Sequence, residues 1–398
     1  MSGMGEPMSN GNSEQFQDST GLAMSGGGFR ATLFHAGSLW RLNELGLLRS
    51  LSRISSVSGG SITSGVLALA WPKLQFDARG VATNFEALVV QPLRRFCSFD
   101  IDTRAIASAM WPGQHAWEKL RGAYDEYLFH GAKLMDLPAS PEFVFNASNL
   151  QTGRSFRFTR GYLADHRIGL IDTSAVPAPG NTLATAVAAS SGFPPIFAPL
   201  SLETEPSLWK KVEGADLAGN PEFCKTLSLA DGGVYDNLGL ESLWKRYRTV
   251  LISNAGKPFD YTADLSSMLP TGEVRLMMRV LDITMDQVQG LRLREIVHSY
   301  QSGEHQGAYW GINTDIDEYV QASARRVPPP LMPPTLSVSR QSMEALSTLR
   351  TRLNEFQPEE QCRLINWGYA VCDAAMRCYG GASSSEAPQW PYSHYPLS

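Results

Sequence analysis

The chain has 398 residues, of which 43% are hydrophobic, so it can bury a large core in one or two domains and is not disordered throughout. Its formal net charge of -5 and its pI of 5.9 give no pull toward nucleic acid, and we expect no nucleic-acid partner. The cysteines number five, an odd count without a C-x-x-C motif, which favours reduced, buried thiols in a cytoplasmic protein.

Residues 1–19 form a polar segment rich in Gly, Ser, Asn, Gln and Met. This composition predicts a flexible lead-in rather than a signal peptide or a membrane anchor. The longest uncharged stretch, 175–202, contains five prolines, which a membrane-spanning helix would not tolerate as a group. We therefore expect no transmembrane segment.

The first folded unit joins a short apolar run to a glycine turn and a helix. Residues 21–25 lead into Gly26, Gly27 and Gly28, and apolar residues then recur at helical spacing over 31–48. First-turn amides of a helix have no intrahelical partner, so this turn can present backbone N–H groups to an anion. Taken alone, the turn fits an oxyanion hole, a dinucleotide-phosphate site or a close packing contact.

A second unit repeats the pattern of strand, turn and helix. Strand 53–57 meets Ser58, and a helical pattern follows from Ile62. Tandem units of this kind predict parallel strands with crossover helices, whose functional groups gather at the carboxyl ends of the strands. Ser58 lies in S-V-S-G-G, where Ser56 replaces the first glycine of the G-x-S-x-G nucleophile elbow. The spacing predicts a reactive serine near the glycine turn.

The rest of the chain alternates strand-forming runs with helical patterns. The predicted strands are 142–147, 155–159, 225–230 and 249–253. The predicted helices are 183–190, 238–246, 273–300 and most of 339–379. A Pro-rich connector, 327–334, precedes the C-terminal helices. Asp231 follows one of the strands, so a carboxylate also lies at the end of a strand.

The glycine turn also matches the dinucleotide fingerprint G-x-G-x-x-G/A, with Ala31 in the last position. That fingerprint requires an acidic residue about 20 positions on, at the end of the second strand. Glu44 lies within the helix instead, and the strand ends in Ser58. A phosphate-binding P-loop would need a lysine that this turn lacks. A nucleotide-dependent oxidoreductase is therefore the weaker interpretation.

A reactive serine needs a general base, and the seven histidines lie in no recognisable motif. His35 falls within the first helix and is interpreted as a core or surface histidine. Asp231 is the stronger candidate, because partial burial raises the pKa of a carboxylate from its ordinary value of about 3.9. The alternative interpretation of Asp231-Gly232-Gly233 is a turn after a strand.

Together these blocks resemble the patatin-like phospholipase family over most of the chain. Residues 25–30 resemble its oxyanion motif, 56–60 its nucleophile elbow and 231–233 its acidic motif, while 146–153 and 188–199 resemble supporting blocks. The resemblance implies a three-layer α/β/α fold with a mostly parallel central sheet and C-terminal helices. The implied divisions are a catalytic domain at 20–326, a connector with C-terminal helices packed on it at 327–380, and a polar tail at 381–398.

Carried over to this chain, the resemblance implies a lipid acyl hydrolase of the phospholipase A or lysophospholipase type. Ser58 would attack the carboxylic ester, and Asp231 would activate it. Backbone N–H groups of Gly26, Gly27 and Gly28 would stabilise the oxyanion. Such a serine esterase needs no metal and no organic cofactor.

The resemblance leaves the role of Arg30 open between a contact with the substrate phosphate and a structural ion pair. It implies a phospholipid or another lipid ester as substrate, met peripherally at a membrane surface by a cytoplasmic protein. Because an uncontrolled phospholipase would harm its host, an unknown activator is a further hypothesis. The alternative function is a noncatalytic lipid-binding or regulatory protein that keeps the fold.

Overall fold

A computed structural model of the chain describes residues 16–103, 115–261, 272–324, 336–381 and 387–398. A ten-stranded sheet forms its centre. The strands are β1 (Gln17–Met24), β2 (Leu51–Val57), β3 (Glu142–Asn149), β4 (Arg154–Phe158), β5 (Tyr162–Asp165), β6 (Gly169–Asp172), β7 (Leu200–Glu203), β8 (Thr226–Asp231), β9 (Tyr247–Asn254) and β10 (Gln306–Gly311). The principal helices are α1 (Gly28–Glu44), α2 (Gly59–Ala70), α3 (Gln91–Phe96), α4 (Ala116–Tyr124), α5 (Leu183–Ser191), α6 (Pro221–Cys224), α7 (Gly233–Asp236), α8 (Gly272–Ser302), α9 (Ile316–Ala324), α10 (Arg340–Ser347) and α11 (Pro358–Cys378).

The sheet is parallel on one side and antiparallel on the other. Its strand order is β10-β9-β1-β2-β3-β4-β5-β6, and the pairs from β10 to β3 are parallel. From β3 to β6 the pairs are antiparallel, and β8 pairs antiparallel with β3 and β7. Short turns join β3 to β6, and such turns permit only antiparallel pairing. The predicted parallel arrangement therefore holds for the half that contains β1 and β2.

Alternating residues of the central strands face two cores, one on each side of the sheet. In β1, Leu22 and Met24 enter the larger core with α1, α2 and α11, whereas Ala23 enters the smaller one. The smaller core also contains Ile296 of α8. Helices thus cover both faces, and the predicted three-layer α/β/α fold is confirmed.

The C-terminal helix α11 packs directly on α1. A β-carbon at Gly37 of α1 would overlap the carbonyl oxygen of Ile365, and one at Gly368 of α11 would overlap that of Phe34. Glycine at both positions lets the two backbones approach closely. Part of the predicted polar tail also packs, since Leu397 is buried and its carbonyl accepts the N–H of Ser339 at 2.8 Å.

Most predicted elements are confirmed within a few residues, but the predicted helix 238–246 is wrong. That segment forms consecutive turns. The Asp236 carboxylate accepts N–H groups of Leu238, Leu240 and Glu241, and Gly239 has a φ of 68°. These side-chain acceptors replace the carbonyl acceptors that a helix would use.

At the N-terminus, β1 begins at Gln17, inside the segment 1–19 that was predicted to be flexible. Residues 1–15 and the predicted connector 327–334 lie outside the described residues. Within the described ranges, none of the helices has both the length and the hydropathy needed to cross a bilayer.

Candidate active site

Two strands that end opposite each other bring Ser58 and Asp231 together. β2 runs parallel to β3 and ends with Val57 beside Asn146. β8 runs antiparallel to β3 and ends with Asp231 beside Ala147, the next residue along β3. The carboxyl ends of β2 and β8 therefore meet at one point of the sheet. The predicted serine and acid are adjacent, although β8 does not belong to the parallel set.

Ser58 stands at a sharp turn between β2 and α2. Its φ of 51° and ψ of -119° lie outside the regions that L-residues ordinarily adopt, so the backbone is strained by about 1–3 kcal/mol. A β-carbon at Gly59 would overlap the carbonyl oxygen of Gly28, and one at Gly60 would lie 2.6 Å from that of Met24. The backbone that follows Ser58 therefore approaches the glycine turn closely enough to require glycine.

The departure from the elbow pattern at Ser56 does not disturb this turn. Ser56 is fully buried, and its hydroxyl oxygen accepts a hydrogen bond from the Ser61 hydroxyl at 3.0 Å. Its own hydroxyl donates to the Val144 carbonyl at 3.3 Å. The close backbone approach is located at Gly59 and Gly60, so a small hydroxyl side chain is accommodated at position 56.

Asp231 is a buried carboxylate with a pKa near neutrality. Only 4% of the residue is exposed, and burial raises its pKa from 3.8 to about 7. Hydrogen bonds from the Gly233 N–H, at 2.7 Å, and from the Ser58 hydroxyl oppose this effect by stabilising the charged form. A carboxyl group with this pKa can both accept and return a proton near pH 7.

Ser190, the penultimate residue of α5, fixes the serine and the acid relative to each other. Its carbonyl oxygen accepts the N–H groups of both Ser58 and Gly232, each at 3.1 Å. Its hydroxyl donates to the Asn146 carbonyl at 2.6 Å and accepts from Ser58 N–H at 3.0 Å. The sequence placed Ser190 in a supporting block without a role. In the sequence, only its position in a run of small residues pointed to this role.

The glycine turn lies beside Ser58 and precedes α1. A β-carbon at Gly26 would lie 3.0 Å from Ser58 Cβ. The N–H of Gly26 donates to the Asn237 carbonyl at 3.1 Å, so it is not available to an oxyanion as the sequence predicted. Within the described part of the chain, the N–H groups of Gly27 and Gly28 have no acceptor. Two of the three predicted donors are therefore unpaired within the described chain, at a helix N-terminus.

Asn237 is a residue of this site that the sequence did not reveal. Besides holding the Gly26 N–H, it places its side-chain oxygen 2.5 Å from a β-carbon built at Gly26 and 2.7 Å from one built at Gly233. It therefore fills the space between the glycine turn and the turn after Asp231. The only signal was its place six residues after Asp231, in a segment predicted as the approach to a helix.

Arg30 does not lie on the substrate side of the site, and the prediction of a phosphate contact is corrected. Its guanidinium is fully buried and donates to the carbonyl oxygens of Ser347, Leu349 and Ala255 at 2.6, 2.9 and 2.8 Å. These neutral partners also replace the predicted ion pair. Burial lowers the pKa of Arg30 to about 10, so it remains charged near pH 7. It joins α1 to the end of β9 and to the segment after α10.

His35 is a core histidine, as expected. Its Nε2 lies 2.9 Å from the Ser25 carbonyl oxygen and its Nδ1 lies 2.8 Å from Ser253 Oγ. A carbonyl can only accept, so Nε2 carries the proton and Nδ1 accepts from the serine. Burial lowers the pKa of His35 to about 4. A neutral His35 therefore supports the residue before the glycine turn and takes no proton from Ser58.

Among the described residues, no group of three or more His, Cys, Asp or Glu side chains is placed to hold a metal ion. The chemistry that this arrangement can perform is that of a serine beside a carboxylate of near-neutral pKa, with two N–H donors that have no acceptor in the described chain close by. These are the parts of an acyl-transfer site.

Comparisons with known proteins identify the family and a similar fold. A family model described as patatin-like phospholipase matches residues 22–244. A structure of human GIVD cytosolic phospholipase A2 is 12% identical, with a TM-score of 0.53, and the match covers 90% of this chain and 58% of that one. A second structure of the human protein, in complex with methyl gamma-linolenyl fluorophosphonate and terbium chloride, is 13% identical with a TM-score of 0.50 and the same coverages. No curated protein matches the chain.

Proposed function

Because the chain belongs to the patatin-like phospholipase family, we propose that it is a lipid acyl hydrolase that cleaves carboxylic esters of phospholipids through Ser58 and Asp231. One observation carries the proposal. A strained serine meets a buried carboxylate whose pKa is about 7, beside two N–H groups without acceptors in the described chain. The chain spans only 58% of the length of the human phospholipase structures it matches, so the activity is argued from the site itself.

The proposed reaction begins with proton transfer from the Ser58 hydroxyl to the Asp231 carboxylate. Ser58 Oγ then forms a bond to the ester carbonyl carbon, and the N–H groups of Gly27 and Gly28 stabilise the resulting oxyanion. When the tetrahedral intermediate collapses, Asp231 returns its proton to the leaving alcohol oxygen. An acyl-serine remains, and a water molecule activated by Asp231 hydrolyses it to a fatty acid and regenerates Ser58.

The substrate proposal is a phospholipid, of which a phospholipase A would release one acyl chain. The human cytosolic phospholipase A2 of similar fold forms a complex with methyl gamma-linolenyl fluorophosphonate. That compound carries a long acyl-like chain and a phosphorus electrophile, and we propose that Ser58 reacts with it in this chain. We also propose a cytoplasmic location, since all five cysteines are buried as expected of reduced thiols.

The test is fatty-acid release from phosphatidylcholine vesicles by the wild-type chain and by three variants. Ser58→Ala and Asp231→Asn should each lower the rate by at least about a thousandfold, because each removes one half of the dyad. Ser64→Ala is the matched control. It removes another buried α2 hydroxyl, one with no hydrogen-bond partner among the described residues, and should keep the wild-type rate.

Circular dichroism of each variant checks that the fold is retained. Wild-type activity in Ser58→Ala or in Asp231→Asn would contradict the dyad. Binding of the wild-type chain to vesicles without any release of fatty acid would contradict the enzymatic proposal and favour a noncatalytic lipid-binding protein.

A further inference from the structure

The outer face of α8 carries an unusual concentration of exposed apolar side chains. Of the eleven large hydrophobic residues exposed in the described chain, six lie on this one helix of 31 residues. They are Leu276, Met277, Val280, Ile283, Leu291 and Val297, between 44% and 73% exposed. Scattered exposed hydrophobics need no explanation, but a contiguous set marks an interaction surface.

The spacing of these residues places them along one side of the helix. Leu276, Val280 and Ile283 follow each other at intervals of four and three, and Leu291 continues the same stripe two turns later. The opposite side faces the protein, where Ile296 is fully buried and Ser299 is 2% exposed. At a rise of about 1.5 Å per residue, the stripe from Leu276 to Leu291 extends for about 22 Å along the helix.

The inner side of α8 rests on the segments that build the active site. Arg292 Nε lies 3.4 Å from Asp236 Oδ1, five residues beyond the catalytic acid. A β-carbon at Gly256 would lie 3.0 Å from Gln289 Oε1 and 3.2 Å from Asn237 Nδ2, and Asn237 contacts the glycine turn. The apolar stripe therefore lies on the outside of a helix whose inside borders the site.

The charges of α8 indicate which surface fits the stripe. The helix contains four arginines and four acidic residues, so its formal charges cancel. The whole chain has a net charge of -5, which gives it no attraction to an anionic membrane. A zwitterionic bilayer suits a neutral helix with an apolar face, because binding then depends on the burial of apolar surface.

We propose that the outer face of α8 docks on a zwitterionic phospholipid bilayer, with Leu276, Val280 and Ile283 inserted below the headgroups. The choice of a lipid surface over another partner rests on the proposed function, in which the acyl-ester substrate resides in a bilayer. Because Ser58 is only 7% exposed, the protein must lie against that bilayer for the ester to reach it. Docking on this face places the bilayer one helix diameter, roughly 10 Å, from the segments that surround Ser58 and Asp231.

The first test measures binding without turnover, by cosedimentation of the Ser58→Ala chain with phosphatidylcholine vesicles. The triple variant Leu276→Ser, Val280→Ser, Ile283→Ser, made in that background, should bind at least about tenfold more weakly. Binding should change little between about 0.05 and about 0.5 M salt, because charge pairing does not drive it.

The matched control replaces three apolar residues of similar exposure elsewhere on the surface. Met135, Leu150 and Leu208 are 44%, 48% and 43% exposed, and their joint replacement by serine should leave vesicle binding within about twofold. An equal loss in this control would show a general effect of surface hydrophobicity and would overturn the assignment to α8.

The second test reports the local environment of the helix. All five native cysteines are buried, so a Met277→Cys variant offers a single accessible thiol for an environment-sensitive fluorophore. Its emission should shift to the blue when phosphatidylcholine vesicles are added, while the same label on a Leu150→Cys variant should not respond. Equal responses at both positions, or none at position 277, would contradict insertion of α8.

Failure of the docking proposal can be distinguished from failure of the proposed function. Full activity of Ser58→Ala would contradict the proposed Ser58 and Asp231 dyad but would leave the binding measurements unaffected. Docking itself is overturned if the wild-type chain does not bind phosphatidylcholine vesicles or if the triple variant binds as tightly. It is also overturned if sedimentation shows a dimer that the triple variant dissolves, since the stripe would then contact a second copy of the chain.

Discussion

Replacement of Asp231 by asparagine should stabilise the fold while it abolishes the proposed activity. In the folded chain burial raises the pKa of Asp231 from 3.8 to about 7, so the folded state holds this proton more tightly than the unfolded state. Its contribution to stability is fully present below pH 3.8 and is lost as the pH rises through about 7. The complete loss amounts to about 4 kcal/mol, and the part between pH 5 and pH 8 to about 2–3 kcal/mol.

Asparagine does not titrate, and its side-chain oxygen can still accept the Gly233 N–H. The free energy of unfolding of Asp231→Asn, relative to that of the wild type, should therefore increase by about 2–3 kcal/mol between pH 5 and pH 8. Urea unfolding of both full-length chains at the two pH values measures this difference. Other titrating groups cancel because they are common to both chains.

A difference in stability that does not change with pH would refute the reasoning, because it would place the pKa of Asp231 at its ordinary value. Asp231→Asn would also have to remain folded and inactive. If Asp231→Asn is less stable than the wild type at pH 8, the charged carboxylate stabilises the fold. That result would contradict the claim that burying this charge lowers the stability of the wild type.

Three further substitutions test the structural roles assigned around the site. Ser58→Gly should be more stable to urea than Ser58→Ala by about 1 kcal/mol, because only glycine adopts a φ of 51° without strain; equal stabilities would contradict a strained elbow. His35→Gln should reduce the loss of stability between pH 6.5 and 4, where the wild type loses up to about 3 kcal/mol because the imidazole is protonated in the unfolded chain while the buried ring stays neutral; an unchanged acid profile would count against this. Arg30→Lys should lower the free energy of unfolding by about 2–4 kcal/mol and slow hydrolysis of phospholipids and neutral esters equally, whereas a loss confined to phospholipids would restore the phosphate contact.

Much of the site could be predicted because its key residues follow local rules. Ser58 and the glycine turn lie where short strands end and helices begin, and the parallel pairing of β1 and β2 places those ends side by side. Asp231 follows a strand, and the hypothesis that it is partly buried there was enough to predict a raised pKa for its carboxyl group. These inferences need only the order of elements along the chain.

The remaining features depend on contacts between residues distant in sequence. The Gly26 N–H donates to Asn237, and the Arg30 guanidinium donates to the carbonyls of Ala255, Ser347 and Leu349. All of these partners lie more than 200 residues away along the chain. The turn at 238–246 has helical spacing of apolar residues, but the Asp236 carboxylate caps its amides. No pattern within a single segment reveals these partners.

The most direct measurement of the central claim is the pH dependence of covalent labelling by methyl gamma-linolenyl fluorophosphonate. If Asp231 activates Ser58, the labelling rate should rise through a midpoint near pH 7, and mass spectrometry should locate the adduct on Ser58. In Asp231→Asn the rate should fall by at least about a thousandfold and lose this dependence. Labelling of another residue, or a wild-type rate that is flat between about pH 5 and about pH 9, would contradict the Ser58 and Asp231 dyad.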